Sequence, residues 1–438
     1  MESDETKGRA GALESRPAGY VELLRRNREF RFLWLGQVVS QLGDWFDTIA
    51  LFTLVLRLTG SGSVIALVFV TRFLPSVVLG PLSGVFADRF NRRTLMIVSD
   101  AARALVVLGF LFVRRPEQVW LVYVLTVLQL GLSSFFEPAR SAAIPSIVSE
   151  RELGTANAIS SVTWSAMLTL GAAFGGPVTA WFGTDAAFVI DSLTYVLSAL
   201  LIASVRLPRR PPREKRRLTL SKALGVSDTL EGLRYVRRRP RVLALLLVKP
   251  AWGLGGGILT LLPVFGEKVF MVGASAAAGM SVLYFARGIG TAVGPVLMRR
   301  FYGETRGQMQ RAIGISFVVA GLFYAAFGSS KIFALALLWL AVAHMAGSTL
   351  WVFSTVLLQA TVEDAFRGRV FAAELTLMTL AMAASNYFTG EALDRFQYSP
   401  RVVTITIGVF FTLPGLLWFL TRRAWDRDFS PVPHADGS

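Results

Sequence analysis

The sequence predicts an all-α integral membrane protein of twelve transmembrane helices, arranged as two six-helix bundles. Three observations predict it. The 438 residues are 53% hydrophobic and only 17% charged, against about 25% charged in an ordinary soluble domain. Twelve apolar runs approach or exceed the roughly 20 residues that one bilayer crossing needs. One long polar connector divides those runs six and six.

The first six runs cover 32–56, 64–86, 94–113, 119–136, 157–182 and 186–205. The second six cover 242–265, 274–297, 312–327, 332–357, 370–389 and 402–420, the ninth being the shortest. Residues 1–31 then form an N-terminal tail, 32–205 one bundle, 206–241 a basic linker, 242–421 the other bundle and 422–438 a C-terminal tail. The first 30 residues mix acids and bases with no short apolar stretch before a small-residue cleavage site. No cleaved signal peptide is expected, and the first span acts as its own insertion signal.

A net charge of +16 suits either nucleic acid or a membrane surface, and its placement decides. Of the 45 lysines and arginines, 34 fall in the tails and the loops on their side and 7 in the opposite loops, while Arg72, Arg103, Lys249 and Arg287 lie within spans. Positive loops stay in the cytoplasm, so both termini are expected there, with membrane lipids and not nucleic acid as the macroscopic partner. The run from Arg206 to Arg217 reads as a cytoplasmic retention signal lying on anionic headgroups, with a regulatory or nucleic-acid arm as the alternative. Its prolines at 208, 211 and 212 prevent helix, and a short amphipathic helix is expected over 221–235. Arginine outnumbers lysine 39 to 6, which fits a bacterium with GC-rich DNA and hence an inner (cytoplasmic) membrane.

There are no cysteines and two histidines, His344 and His434. Disulfides, thiol catalysis and a His/Cys metal cluster are therefore excluded, and neither metal nor cofactor is expected. No nucleophile, base or metal constellation gathers near one face, and no P-loop glycine pattern is present. An enzyme and an ATP-driven pump are both excluded.

The second span reads R-F-L-P-S-V-V-L-G-P from Arg72 and the eighth R-G-I-G-T-A-V-G-P from Arg287. Both set an arginine about two turns before Gly-Pro. Duplicated six-span halves imply alternating access by rocking. The loop after the second span reads G-V-F-A-D-R-F-N-R-R from Gly84 to Arg93. A tight cytoplasmic turn needs a small residue, a residue tolerant of left-handed backbone, and fixed charges that resist entry into lipid. Gly84, Asn91 and the group Asp88, Arg89, Arg92 and Arg93 supply these.

At these residues the chain resembles the major facilitator superfamily, whose loop between spans two and three has this order of small, acidic and basic residues. Asn91 stands where glycine is usual and Phe86 where leucine is. The resemblance implies the major facilitator fold, two pseudo-symmetric six-helix bundles. It also implies a conformational latch in this loop: Asp88 caps or pairs between halves, and the arginines pair with acids on neighbouring cytoplasmic helix ends. Ser40–Trp45, Phe135–Pro145, Ala156–Ala158, Asp191–Tyr195 and Leu358–Phe371 resemble the branch containing macrolide-efflux proteins and the enterobactin exporter.

In the fifth span Gly171, Gly175, Thr179 and Gly183 recur every four residues and make a smooth face for close helix approach. Pro177, after Gly176, is expected to bend it. The resemblance associates such a helix with exporters, although Val178 and Thr179 stand where further glycines are usual.

Ionisable groups deep in a span are costly and become functional candidates. At 1.5 Å per residue, Asp44 and Asp47 sit about 18 to 24 Å from the inner end of their span. Arg72, Arg103 and Arg287 also lie near mid-depth, and Asp100 and Arg103 share a helical face. Lys249 and Glu374 lie two turns and one turn from the inner ends of the seventh and eleventh spans. Proton coupling needs a carboxylate that changes charge in the cycle. Asp44, with Arg72 or Arg103 as partner, is the first candidate, then Glu374, then Asp47; the competing reading is a permanently ionised structural pair. Glu137 and Arg140 form a cytoplasmic gate or a structural pair.

His344 reads as a packed polar residue, with proton shuttling as the alternative. Trp120 and Trp181 read as interface anchors. Trp45, Trp164, Tyr195, Trp252, Tyr284 and Trp351 lie within spans, where they pack the core or line a cavity.

The expected function is secondary active transport: a proton-coupled exporter (antiporter) of hydrophobic or amphipathic small molecules such as drugs, working as a monomer with the proton as coupling ion. The alternatives are a lysophospholipid or siderophore translocator of the same fold, and a non-transporting membrane receptor.

Overall fold

The computed structural model describes residues 19–208, 231, 234–237, 239–273, 275–302 and 305–426. Most of the basic run, most of the expected helix over 221–235, and the side chains of Gly84, Asp88 and Arg89 lie outside the described set. Among the described residues thirteen α-helices follow in order. They are α1 (Tyr20–Arg26), α2 (Arg28–Thr59), α3 (Gly62–Arg89), α4 (Arg92–Leu108), α5 (Val119–Ala143), α6 (Glu150–Ala203), α7 (Pro240–Gly253), α8 (Gly257–Lys268), α9 (Ala276–Tyr302), α10 (Arg306–Ser329), α11 (Phe333–Thr361), α12 (Asp364–Asp394) and α13 (Pro400–Asp426). Among the described residues nine stretches are long and apolar enough to cross a bilayer, with α7 and α8 counted as one and the 54-residue α6, which turns at Gly183, also counted as one.

Local chemistry explains the ends. Asn27, Ser61 and Asn91 accept the backbone N–H three residues on and so cap α2, α3 and α4, satisfying donors that a helix start leaves open. Asn91 is therefore not the left-handed turn residue expected of it: its backbone is extended, φ −64° and ψ 115°, because its side chain is used as a cap. A capping box of Thr305 and Gln308 starts α10 at Arg306, lengthening the short ninth span to 24 residues. The fifth and sixth spans meet without a loop. They turn at Gly183, whose φ of 82° and ψ of 171° belong to a region open essentially to glycine alone.

The seventh span, expected to be continuous, breaks between α7 and α8. Pro250 supplies no amide hydrogen for its turn, and Gly253 and Gly255 to Gly257 follow at once. Ser385 of α12 bridges the break: its hydroxyl accepts from the Gly257 N–H at 2.9 Å and donates to the Leu254 carbonyl at 2.6 Å. Freed backbone groups are thereby satisfied away from water.

The chain forms two compact units. One comprises residues up to Leu224 together with Leu262–Gly288; the other comprises Gly225–Leu261 and the chain from Ile289. In the first, α2 packs along α6, α3 on α5, and α4 on both α5 and α6. The segment from the second half of the sequence joins it through small residues: a Cβ on Gly288 would lie 2.8 Å from the Thr169 backbone, and Lys268 donates to the Gly60 carbonyl at 2.9 Å. In the second unit α10 packs on α11 and α13, and α7 on α11 and α12. Large apolar side chains cover the outside of the rods, with Leu105 72%, Trp181 78% and Leu420 77% exposed. That is the surface of a protein whose solvent at this level is lipid, and Trp120 stands exposed on it too.

Candidate functional site

The first unit buries a polar cluster where α2, α4, α5 and α6 meet. Asp44 and Asp47 lie one turn apart on α2, so both reach the same side. The Tyr195 hydroxyl of α6 donates to Asp44 Oδ1. The Gln129 amide of α5 donates to the Tyr195 oxygen and to Asp47 Oδ2, each at 3.3 Å. The result is a continuous line from half-buried Asp44 through Tyr195 and Gln129 to fully buried Asp47. Asp47 Oδ1 is sealed from solvent and has no donor among the described residues. A carboxylate oxygen left this way is costly unless something neutralises it.

Beside this line, Arg103 pairs with Asp100 on α4, as their spacing of three predicts. Ser198 donates to the other Asp100 oxygen at 2.6 Å. The guanidinium lies 4.3 Å from the centre of the Tyr195 ring and 4.9 Å from that of Phe136, so its faces are covered as well as its edge. Arg72 donates to Thr48 Oγ1 at 3.3 Å. Neither arginine is the bonded partner of Asp44 that sequence reasoning assigned. Arg103 is taken by the acid one turn away on its own helix, and the tyrosine fills the position at Asp44.

Asp191 of α6 belongs to the cluster and was missed as a site residue. It is fully buried, its Oδ1 accepts from the Thr194 hydroxyl at 3.2 Å, and a Cβ on the facing Gly43 would stand 2.2 Å from that oxygen. The signal was present: an aspartate five residues into the sixth apolar run meets the same test that selected Asp44. Gln129 carries no charge, and only the contact identifies it.

The second unit also holds a buried ion pair. Lys249 of α7 and Glu374 of α12 meet at 2.7 Å, with Glu374 2% exposed. The ammonium lies 4.8 Å from the Trp351 ring centre and 5.4 Å from that of Phe371. Trp252 and Trp351 pack edge to face at 5.3 Å. These two charged residues, chosen separately from the sequence, are thus one pair.

Towards one end of the first unit, Glu137 and Arg140 form an ion pair at 3.0 Å, and Arg140 also donates to Gln37 Oε1 at 2.8 Å. Arg92 donates to the Ala142 carbonyl at the end of α5. Arg93 donates to the Ile202 and Ala203 carbonyls at the end of α6. The resemblance implied acids as the arginines' partners, whereas Arg93 covers carbonyls that a helix end leaves open and slightly negative.

The glycines of α6 lie at close helix contacts. A Cβ on Gly171 would lie 2.6 Å from Trp45 Cβ, one on Gly175 3.3 Å from the Phe46 backbone, and one on Gly176 2.1 Å from Ser281 Cβ. Pro177 sits within the helix, where Gly183 is the residue that departs from helical angles. Arg287 lies with its guanidinium 5.7 Å from the Tyr284 ring centre. His344 Nδ1 faces the Leu340 carbonyl at 3.0 Å. Among the described residues no group of three or more His, Cys, Asp or Glu is placed to hold a metal ion.

The chain is similar to several known proteins. Over 226 residues the chain is 33% identical to YfiS, a Bacillus subtilis (strain 168) MFS-type transporter named as uncharacterized; the match spans 51% of this chain and 53% of that protein, about half the relative's length. It is 26% identical over 404 residues to macrolide efflux protein A of Streptococcus pyogenes, covering 89% of this chain and 93% of the relative. In fold it is similar to a bacterial homolog of the human lysosomal transporter Spinster, with a TM-score of 0.72 at 17% identity over 93% of this chain and 99% of the other. Residues 33–385 match the Major Facilitator Superfamily itself. The chain therefore belongs to the Major Facilitator Superfamily, and is a multi-pass membrane transporter of that fold and not an enzyme.

Proposed function

We propose that this transporter is a proton-coupled exporter, an antiporter that carries hydrophobic or amphipathic small molecules out across the inner membrane by alternating access, with both termini cytoplasmic. The observation that carries the reading is the line Asp44, Tyr195, Gln129, Asp47. The carboxylate at which a coupling proton enters must be reachable from one side of the protein and must have a neutral partner that tolerates both of its charge states. Asp44 is half-buried and bonded to a hydroxyl, which can donate to the carboxylate and accept from the acid. A guanidinium in the same place would hold the group ionised. The direction of transport is supported by the likeness to macrolide efflux protein A, which runs along 89% of the chain.

The test uses the purified protein in liposomes with an imposed pH gradient and a panel of hydrophobic dyes, macrolides and lysolipids. Gradient-driven movement of at least one compound is expected, with loss of movement but not of binding in Asp44→Asn. Wild-type movement that ignores the gradient overturns proton coupling. Movement of lysolipids alone turns the reading to lysophospholipid translocation.

A further inference from the structure

Asp191 stands four residues before Tyr195 on α6, yet no step of the line above uses it. Its carboxyl is 0% exposed. The single Thr194 hydroxyl proton is shared between the Asp191 backbone carbonyl at 2.7 Å and Oδ1 at 3.2 Å, whereas Oδ2 is sealed and has no donor among the described residues. On α2 the facing residue is Gly43, where a Cβ would lie 2.0 Å from Thr194 Oγ1 and 2.2 Å from Asp191 Oδ1. The carboxyl is thus pressed against the α2 backbone one residue before Asp44.

The groups around it are mostly of its own sign. From α2, Asp44 and Asp47 act on it as like charges; from α4, Arg103 acts as the opposite charge but is already bonded to Asp100. From α3, Arg72 acts on Asp44 and Asp47 while bonded to Thr48. From α5, Glu137 adds a further negative charge to the field at Asp44, and Gln129 is neutral. With Asp100 and Arg103 compensating each other, the cation beyond that pair, Arg72, acts on Asp44 and Asp47, and Asp191 is left with Arg103, already bonded to Asp100, against two like charges. A sealed oxygen with no donor, held among like charges, is expensive as an anion. A proton is small enough to reach it, and it removes both costs at once.

We infer that Asp191 is a second proton-carrying carboxyl, so that this unit takes up and releases two protons per transport cycle, one on the Asp44–Asp47 line and one on Asp191. Each proton forms an O–H bond on a carboxylate in one conformation of the cycle and leaves it in the other; two enter for each substrate molecule exported, and nothing is oxidised or reduced. The inference rests on the proton-coupled reading above.

Infrared spectroscopy of the full chain in lipid at neutral pH is the test, combined with the substrate gradient that a known pH gradient can sustain. The carbonyl-stretch band of one protonated carboxyl is expected to vanish in Asp191→Asn and to persist in Asp44→Asn. In Thr194→Val the same band is expected to change frequency, because its hydroxyl donor is gone; that variant keeps the inference testable should Asp191→Asn fold poorly. The proton-to-substrate ratio is expected to fall from two to one in Asp191→Asn. A protonated-carboxyl spectrum identical in wild type and Asp191→Asn, or a wild-type ratio of one, overturns the inference. If no compound follows the gradient the coupled reading fails, and the infrared arm still reports by itself whether Asp191 holds a proton.

Discussion

At the scale of single residues, the first unit contains charges that tolerate removal only in pairs. Asp100 is fully buried against Arg103, and breaking such a pair leaves an uncompensated charge worth about 3–5 kcal/mol. Arg103→Met is therefore expected to lower the thermal midpoint of the purified protein sharply, and adding Asp100→Asn to recover part of the loss. Arg103→Lys restores the charge but not the flat cation over Tyr195 and Phe136, so its midpoint should fall between those of wild type and Arg103→Met. The same logic applies to Lys249 and Glu374 in the second unit. Lys249→Met and Glu374→Gln should each destabilise more than the double variant does, a coupling that a double-mutant cycle on unfolding measures directly. The sequence identified Asp100 with Arg103 as a pair because three residues on one helix is a local distance. It could not match Lys249 with Glu374, which are 125 positions apart.

At the scale of elements, glycine decides where helices turn and how near they come. The turn at Gly183 has backbone angles of 82° and 171°, and such angles cost a residue with a side chain about 1–3 kcal/mol. Gly183→Ala is expected to lose stability in that range by thermal unfolding, with Gly154→Ala, where a Cβ meets nothing within 4 Å, as the control. Gly171→Leu must drive α6 away from Trp45, since even a Cβ would stand 2.6 Å from the Trp45 side chain. Reduced yield of folded protein on size-exclusion chromatography is the readout. The four-residue recurrence of these glycines made the close face legible in the sequence. The break between α7 and α8 was not, because Pro250 and the glycines that follow also occur within continuous membrane helices. Ser385, which bonds both sides of the break, comes from another helix.

At the scale of the whole molecule, the asymmetry of lysine and arginine predicts which loops face which compartment. The natural chain has no cysteine, so single cysteines report without background. Arg57→Cys and Lys331→Cys, both at exposed positions, are expected to react with a membrane-impermeant maleimide added to intact cells. Arg300→Cys, also exposed, is expected to react only after the membrane is opened. Labelling of Arg300→Cys in intact cells would reverse the topology. The compact units add what a count of spans does not contain: residues 262–288, from the second half of the sequence, belong with the first unit.

The sequence by itself determined the number, order and rough limits of the spans, since each depends on an unbroken apolar stretch and each bilayer crossing is a local solvent problem. It also marked most of the buried charges, because a charge inside such a stretch is conspicuous wherever it points. Only the tertiary structure decided their partners. Tyr195 meets Asp44 across 151 positions and Gln129 meets Asp47 across 82, and the neutral groups that make the line carry no sign that singles them out. Hydropathy is a property each segment has alone, whereas a hydrogen bond between helices exists only when packing brings the two together.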